Sequence, residues 1–281
     1  MSDDHHAADR HTTGYRYSEP VSDSFNEIRM QPRYTPEQLI RERSVLISPT
    51  PWSYSSIDYW GTQVTSFELH EPHDVMTIRV ETSLDVTRRP PVSSSLRRED
   101  LESVRDRWNE YLTITPLVDP GPELASKAEE IAAHAVTVDE CGRGVAELVN
   151  RSLHYASGTT TVNTTAAEAW ATHKGVCQDY AHLTIGALRH LAIPCRYVSG
   201  YVMGSEDAPI GTEVVGESHA WVEWWNGAWV GFDPTNDTVP TESHVQVGVG
   251  RDYRDVPPLK GMFRGRASSQ MFVEVRMTRL A

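Results

Sequence analysis

Two hydrophobic spacings divide the chain. In the first ninety residues apolar positions recur every second residue, in short runs. Residues 63–69 (QVTSFEL) and 77–82 (TIRVET) alternate polar and apolar, as half-buried strands do. Residues 26–30 and 43–48 are two further candidate strands, the second stopped by Pro49 and Pro51. Pro, Gly and Asp punctuate these runs, so residues 14–90 read as an all-β, sandwich-like domain. Residues 1–13 show no periodicity and read as a disordered tail. Trp60 and Gly61 fall in a turn-like stretch and read as structural. Residues 88–98 (RRPPVSSSLRR) have linker composition, which puts a linker at 91–100 and a second domain at 101–281.

Beyond the linker the spacing becomes helical. Trp108, Tyr111 and Leu112 share a helical face, and Pro120-Gly121-Pro122 breaks the chain before a helix near 123–136. Residues 143–153 carry Val145, Leu148, Val149 and Leu153 as one stripe. A helix near 165–173 has Thr164 and Thr165 as caps and Trp170 facing inward. A fifth helical run begins in GVCQDYAHL (175–183), where Tyr180, Leu183, Ala187, Leu188 and Leu191 fall on one face. Period two then returns at 193–202, 217–224, 229–233 and 271–277, with a polar loop at 205–216. The fold class is α+β, with helices packed on an antiparallel sheet.

Cys177 falls at the first turn of the last helix. Unpaired N–H groups and the positive end of the helix dipole favour a thiolate there. A thiolate needs a base, and the base needs a group to orient it. His219 in SHAWVEWW and Asp233 in GFDPTND supply both if their strands pair. On residue type alone Cys177 reads as a core cysteine, His219 as a core histidine and Asp233 as a turn residue before Pro234. Taken together, the glycine before Cys177 and the order Cys, His, Asp favour a catalytic triad. Register tests this. Pairing Val222 with Val230 sets His219 opposite Asp233, whereas a two-residue Asn226-Gly227 turn puts Asp233 on the wrong face. The turn is therefore expected to be odd, three residues long, with Gly227 left-handed.

Taken together, GVCQDYAHL, SHAWVEWW and GFDPTND resemble the transglutaminase-like superfamily of cysteine enzymes. RYVSGY (196–201), GRDYRDVPPLKG (250–261) and the first ninety residues extend the resemblance over most of the chain. It implies a papain-like fold and the catalytic set Cys177, His219 and Asp233. It does not fix the substrate, since members include amide hydrolases, peptidases, acyl transferases and inactive proteins. The chemistry that follows is acyl transfer through a thioester, with the Cys177 N–H as one oxyanion donor and the second unassigned. The first expectation is a cysteine amidase or peptidase that transfers the acyl group to water. The alternatives are a transglutaminase-type acyltransferase and a non-catalytic peptide-binding domain. No cofactor is implied, and the expected partner is a peptide or protein amide.

Composition trims the remaining possibilities. The net charge of −13 over 281 residues disfavours nucleic acid and anionic membranes as partners. No stretch approaches a membrane span, and the N-terminus lacks a secretory apolar core. Three cysteines, 141, 177 and 195, form no disulfide framework, which fits a reducing cytoplasm. Cys177, Cys195 and His219 as zinc ligands lack a metal-site spacing. His5, His6 and His11 read as solvated, Cys141 and Cys195 as structural. His182 reads as structural or as a residue at the rim of the cleft. The 205–216 loop, with Glu206 and Asp207, lacks calcium-motif spacing and reads as the rim of the cleft.

Overall fold

The computed structural model describes residues 5–89, 94–205 and 208–280. The N-terminal strands are β1 (His5–Ile28), β2 (Gln38–Ser48), β3 (Trp52–Ile57), β4 (Gln63–Leu69) and β5 (His73–Val86). Two 3-10 segments, Arg98–Val104 and Asn109–Leu112, stand where residues 108–112 predicted a helical face. Then come α1 (Gly121–His134), α2 (Val138–Ser152), β6 (His154–Tyr155), α3 (Ala166–Thr172), β7 (Lys174–Gly175) and α4 (Cys177–His190). The chain closes with β8 (Cys195–Met203), β9 (Glu213–Trp225), β10 (Trp229–Phe232), β11 (His244–Gly250), β12 (Leu259–Arg264) and β13 (Ser269–Arg279). The α+β class expected from the spacings is the one observed.

Eleven strands form one curled antiparallel sheet, ordered β11-β8-β9-β13-β1-β4-β3, with the rest attached to it. β1 is its spine. Its first half pairs with β5 and β13, its second with β4 and β12. Residues 5–13, expected as a disordered tail, are therefore the first half of a central strand. Their polar sequence hid this because partners on both sides supply the hydrogen bonds that a local pattern does not advertise. His6, partly exposed, bonds Asp85 through Nδ1 at 2.8 Å, and His11 is buried against Tyr201. Residues 1–4 lie outside the described residues. Gly14 lets β1 and β5 close up, since a Cβ there would stand 1.9 Å from the Met76 carbonyl oxygen.

The pairing of β12 and β13 with β1 crosses the boundary expected at 91–100. Side chains cross it too: Ala7, Leu84 and Val86 share a buried cluster with Tyr201, Val245, Val275 and Met277. The linker residues are tied down as well. Arg88 donates to the His244 carbonyl at 2.6 Å and to Glu37 at 2.9 Å, and Ser94 donates to the Asn226 carbonyl at 2.6 Å; residues 90–93 lie outside the described residues. The helices cover the sheet face that carries Cys195, Tyr197, Ala220, Val222, Trp224 and Phe232. Gly142 on α2 makes room, because a Cβ there would meet the Trp224 ring at 2.6 Å. Among the described residues no helix is long and apolar enough to cross a membrane.

Asp9 sits in this spine with 3% of its surface exposed. Burial pushes its carboxyl up to about 8, offset only in part by Thr82 beside it. A folded value above the ordinary 3.8 gives stability that is complete below pH 3.8 and lost as pH rises through about 8. Asp9→Asn removes that titration. Thermal melts from pH 5 to 9 should show a shallower decline for the variant, with a gap of about 3 °C or more at pH 9. Parallel curves would show that Asp9 does not titrate in this range.

Candidate active site

The position of Cys177 is set by the start of α4. Val176 is extended and precedes the helix, and the Asp179 carboxylate reaches back to accept its N–H at 2.8 Å. The same oxygen accepts from the Thr160 hydroxyl at 2.7 Å. Gly175 permits this closeness: a Cβ there would fall 2.6 Å from the Asp179 Cβ. Cys177 is thus the first helical residue, half-buried, and its own N–H lies outside the helix ladder. At the other end Arg189 is buried and donates to the carbonyls of Cys195 (3.0 and 2.8 Å), Thr113 (2.6 Å) and Arg251 (2.7 Å). Tyr180 ties the middle to the Leu153 carbonyl at 3.0 Å.

His219 sits on β9 where the sheet has a notch. β13 pairs with β9 only up to Gly216, and β10 pairs with it only from Val222. Residues 217–221 are bonded to β8 on one side and to no strand on the other, among the described residues. His219 lies at the middle of that gap, near enough to Cys177 for the thiol to raise its pKa. Its Nε2 lies 2.7 Å from Asp233 Oδ2, which leaves Nδ1 free of the carboxylate.

The β9–β10 turn is three residues long, with Trp225 opposite Trp229 and Gly227 at φ +107°. The odd turn is as expected, but the register is shifted by two residues. Phe232, not Val230, faces Val222, so Asp233 is diagonal to His219 instead of opposite. Parity keeps both on one face, and 2.7 Å shows that the diagonal is reached. The shift has a visible anchor: Asn226 donates from Nδ2 to Asp139 on α2 at 2.9 and 2.8 Å, holding it as the first turn residue.

Asp233 is wholly buried and its carboxylate is saturated. Oδ1 accepts from the N–H groups of Thr235 (2.9 Å) and Asn236 (3.3 Å), and Oδ2 accepts from Asn236 Nδ2 (2.7 Å). Oδ2 also meets His244 Nε2 at 3.4 Å. The His244 tautomer follows from its other side. The Thr241 N–H points at Nδ1 at 3.1 Å, so Nδ1 accepts and the ring proton is on Nε2, facing Asp233. Sequence reading missed His244. No spacing rule joins positions 233 and 244, and a histidine opening an apolar strand carries no signal of its own.

The charges are strongly perturbed. Burial alone would lower the His219 pKa, but hydrogen bonds to Asp233 and Cys177, with their charges, raise it to about 10. Burial would raise Asp233, and hydrogen bonds from His219, His244 and Asn236 hold it well below the usual carboxylate range instead. The other two cysteines are buried, whereas Cys177 is partly exposed. Burial pushes Cys141 up to about 11 and Cys195 to about 12, and both are fully covered. His182 is core: burial lowers it to about 3, and its Nε2 accepts the Tyr253 N–H at 3.2 Å.

Among the described residues one set of three ligand-type side chains brings its donor atoms within 4.8 Å, namely His219, Asp233 and His244. Those atoms are already spent on one another, and a cation there would displace the hydrogen bond that orients His219. Cys195 and Cys177 do not join it. Glu206 and Asp207 lie outside the described residues, and the rest of the expected rim loop is shorter than predicted because Glu213 to Gly216 belong to β9.

The chain belongs to the transglutaminase-like superfamily. The model for that superfamily matches residues 125–234, and the model for the bacterial transglutaminase-like N-terminal region matches residues 10–85. Two relatives are mycobacterial. The uncharacterized protein ML0607 of Mycobacterium leprae is 41% identical, with 96% of this chain and 98% of that protein covered. The uncharacterized protein Rv2569c of Mycobacterium tuberculosis is 33% identical over 93% of this chain and 88% of its own. Among solved structures, one from Cytophaga hutchinsonii, named as a cysteine protease, superposes with a TM-score of 0.79. It is 22% identical, over 98% of this chain and 91% of that one.

Two measurements test the site. Brief iodoacetamide treatment near neutral pH, followed by peptide mapping, should label Cys177 well before Cys141 or Cys195. Earlier labelling of either buried cysteine contradicts the assignment. His244→Phe should slow Cys177 alkylation by roughly tenfold, about 1.4 kcal/mol, by freeing the Asp233 carboxylate to turn. His244→Gln, which keeps a donor, should recover most of that rate. Equal rates in all three proteins would make His244 only a packing residue.

Proposed function

We propose that this chain is a cysteine amide hydrolase acting on peptide-like substrates. The observation that carries the reading is the buried His219–Asp233 pair, bonded at 2.7 Å, with Cys177 at a helix start near enough to raise the His219 pKa. Cys177 as thiolate attacks the amide carbonyl, forming the S–C bond and a tetrahedral oxyanion. Imidazolium His219 then gives its proton to the leaving nitrogen as the C–N bond breaks. Asp233 holds the ring and its charge throughout. Water, losing a proton to His219, attacks the thioester and releases the acid and the free thiol.

Two donors would meet the oxyanion. One is the Cys177 N–H at the helix start. For the other we assign the Tyr155 hydroxyl. Tyr155 pairs in parallel with Gly175, two residues before Cys177. Burial raises its pKa, and the charges of Cys177 and Glu217 add to the rise, so the hydroxyl keeps its proton beside the nucleophile. The name of the Cytophaga structure favours cleavage over transamidation. So does the exposure of Tyr155, Glu217 and Ser218 around the thiol, which leaves water free access. All three cysteines are free, and we place the protein in a reducing compartment, the cytoplasm.

Incubating the protein with a glutamine-rich peptide mixture, with and without low-millimolar cadaverine, separates the outcomes by product mass. Free acids should dominate in both. Cys177→Ala should abolish turnover, Asp233→Asn should lower kcat by roughly two to four powers of ten, and Tyr155→Phe by about tenfold with KM unchanged. Dominant amine adducts would overturn hydrolysis in favour of acyl transfer. Peptide binding without turnover would leave a binding domain.

A further inference from the structure

The notch that exposes His219 continues along a second strand. β13 pairs with β9 only through Val275 to Thr278, while among the described residues its earlier part, 269–274, pairs with β1 alone. Two free strand edges, 217–221 and 269–274, therefore meet at the Gly216–Val275 pair. A cavity of about 570 Å³ opens at this corner, lined among others by Val215, Glu217, Leu259, Met271 and Val273. It also reaches Ser218, beside His219, and Tyr253, whose N–H is held by His182 on the helix of Cys177.

The corner has two chemically different faces. Met271 and Val273 continue the row of buried Val275 and Met277, yet are 55% and 48% exposed. The other face carries Glu274 ion-paired to Arg276 at 2.6 Å. Glu217 lies on that charged side too, because Val215 pairs with Arg276. Natural sheet edges are commonly blocked by lysine, proline or a bulge. Residues 269–274 (SQMFVE) have neither lysine nor proline, and their pairing with β1 is unbroken.

We propose that this edge is the substrate site: an extended peptide adds to residues 269–274 as a further strand and leads its scissile amide to Cys177. The complement of a row of free N–H and C=O groups is another main chain, and pockets for alternate side chains then set specificity. The substrate class is a peptide with aliphatic residues at every second position, against Met271 and Val273, and polar residues between, against Glu217, Glu274 and Arg276. This site rests on the hydrolase reading.

Hydrogen exchange on the full chain carrying Cys177→Ala tests it. The probes are an acetylated hexapeptide amide alternating leucine or valine with alanine, and the same peptide with its backbone nitrogens methylated. The first should slow exchange in residues 270–274 and 217–220, and the methylated form should bind at least tenfold more weakly. Met271→Asp and Val273→Asp, each checked for an unchanged melting temperature, should each weaken the first peptide at least tenfold. Protection elsewhere, none at millimolar peptide, or protection that appears with protein concentration alone, as edge pairing between two copies would give, overturns the site. Cys177 alkylation in the parent chain separates the two failures. Unselective labelling sinks the hydrolase, whereas selective labelling without edge protection sinks only this site.

Discussion

Everything at the site depends on where the first turn of α4 meets the notch in β9. The helix is a rod of 14 residues, about 21 Å long. A rod can be aimed only by fixing both ends. Arg189 fixes the far end by donating to three carbonyls from β8 and two loops, with no carboxylate bonded to it among the described residues. Carbonyls satisfy the guanidinium's donors without cancelling its charge, and burial accordingly lowers Arg189 to about 10. Such a group tolerates little displacement, because each lost carbonyl leaves a buried donor unpaired. Asp179 and Gly175 fix the near end, and the thiol position is what remains.

The second half of the site is fixed by saturation. Asp233 accepts from Thr235, from both nitrogens of Asn236, from His219 and from His244, so the carboxylate has no slack in which to rotate. Those donors also explain why a wholly buried acid stays ionised: they replace the hydration that burial removed. The ionised acid then raises His219. A proton bound above the ordinary 6.5, at about 10, stabilises the fold fully below pH 6.5 and is lost as pH rises through about 10. Charge at the site and stability of the fold are thus the same interaction seen twice.

The sequence carried the site better than the architecture. Cys177, His219 and Asp233 were legible because each sits in a local pattern with a physical reading: a helix start, and two strands whose parity must agree. The register was legible only to its parity. An Asn-Gly pair reads as a tight turn, and what displaces the pairing by two residues is Asp139, nearly ninety positions upstream on α2. His244 was invisible for the same reason, since its meaning comes from a contact with a different element. Residues 5–13 failed most plainly. Their alternation is weak because Asp9, His11 and Thr13 occupy buried positions that an isolated strand would give to apolar side chains.

That failure changes how the N-terminal region is understood. A separable domain would leave the other half intact when removed. Here β13 is held between β9 and β1, and the buried cluster around Val275 and Met277 draws side chains from β1, β5, β8 and β11. Take β1 away and β13 loses its long partner. The row Met271, Val273, Val275 and Met277 then has nothing to lie against, and the edge of the notch beside His219 goes with it. The Arg88 contact with the His244 carbonyl extends the same dependence to the residue that steadies Asp233. The N-terminal region therefore holds in place the strand that borders the notch at His219.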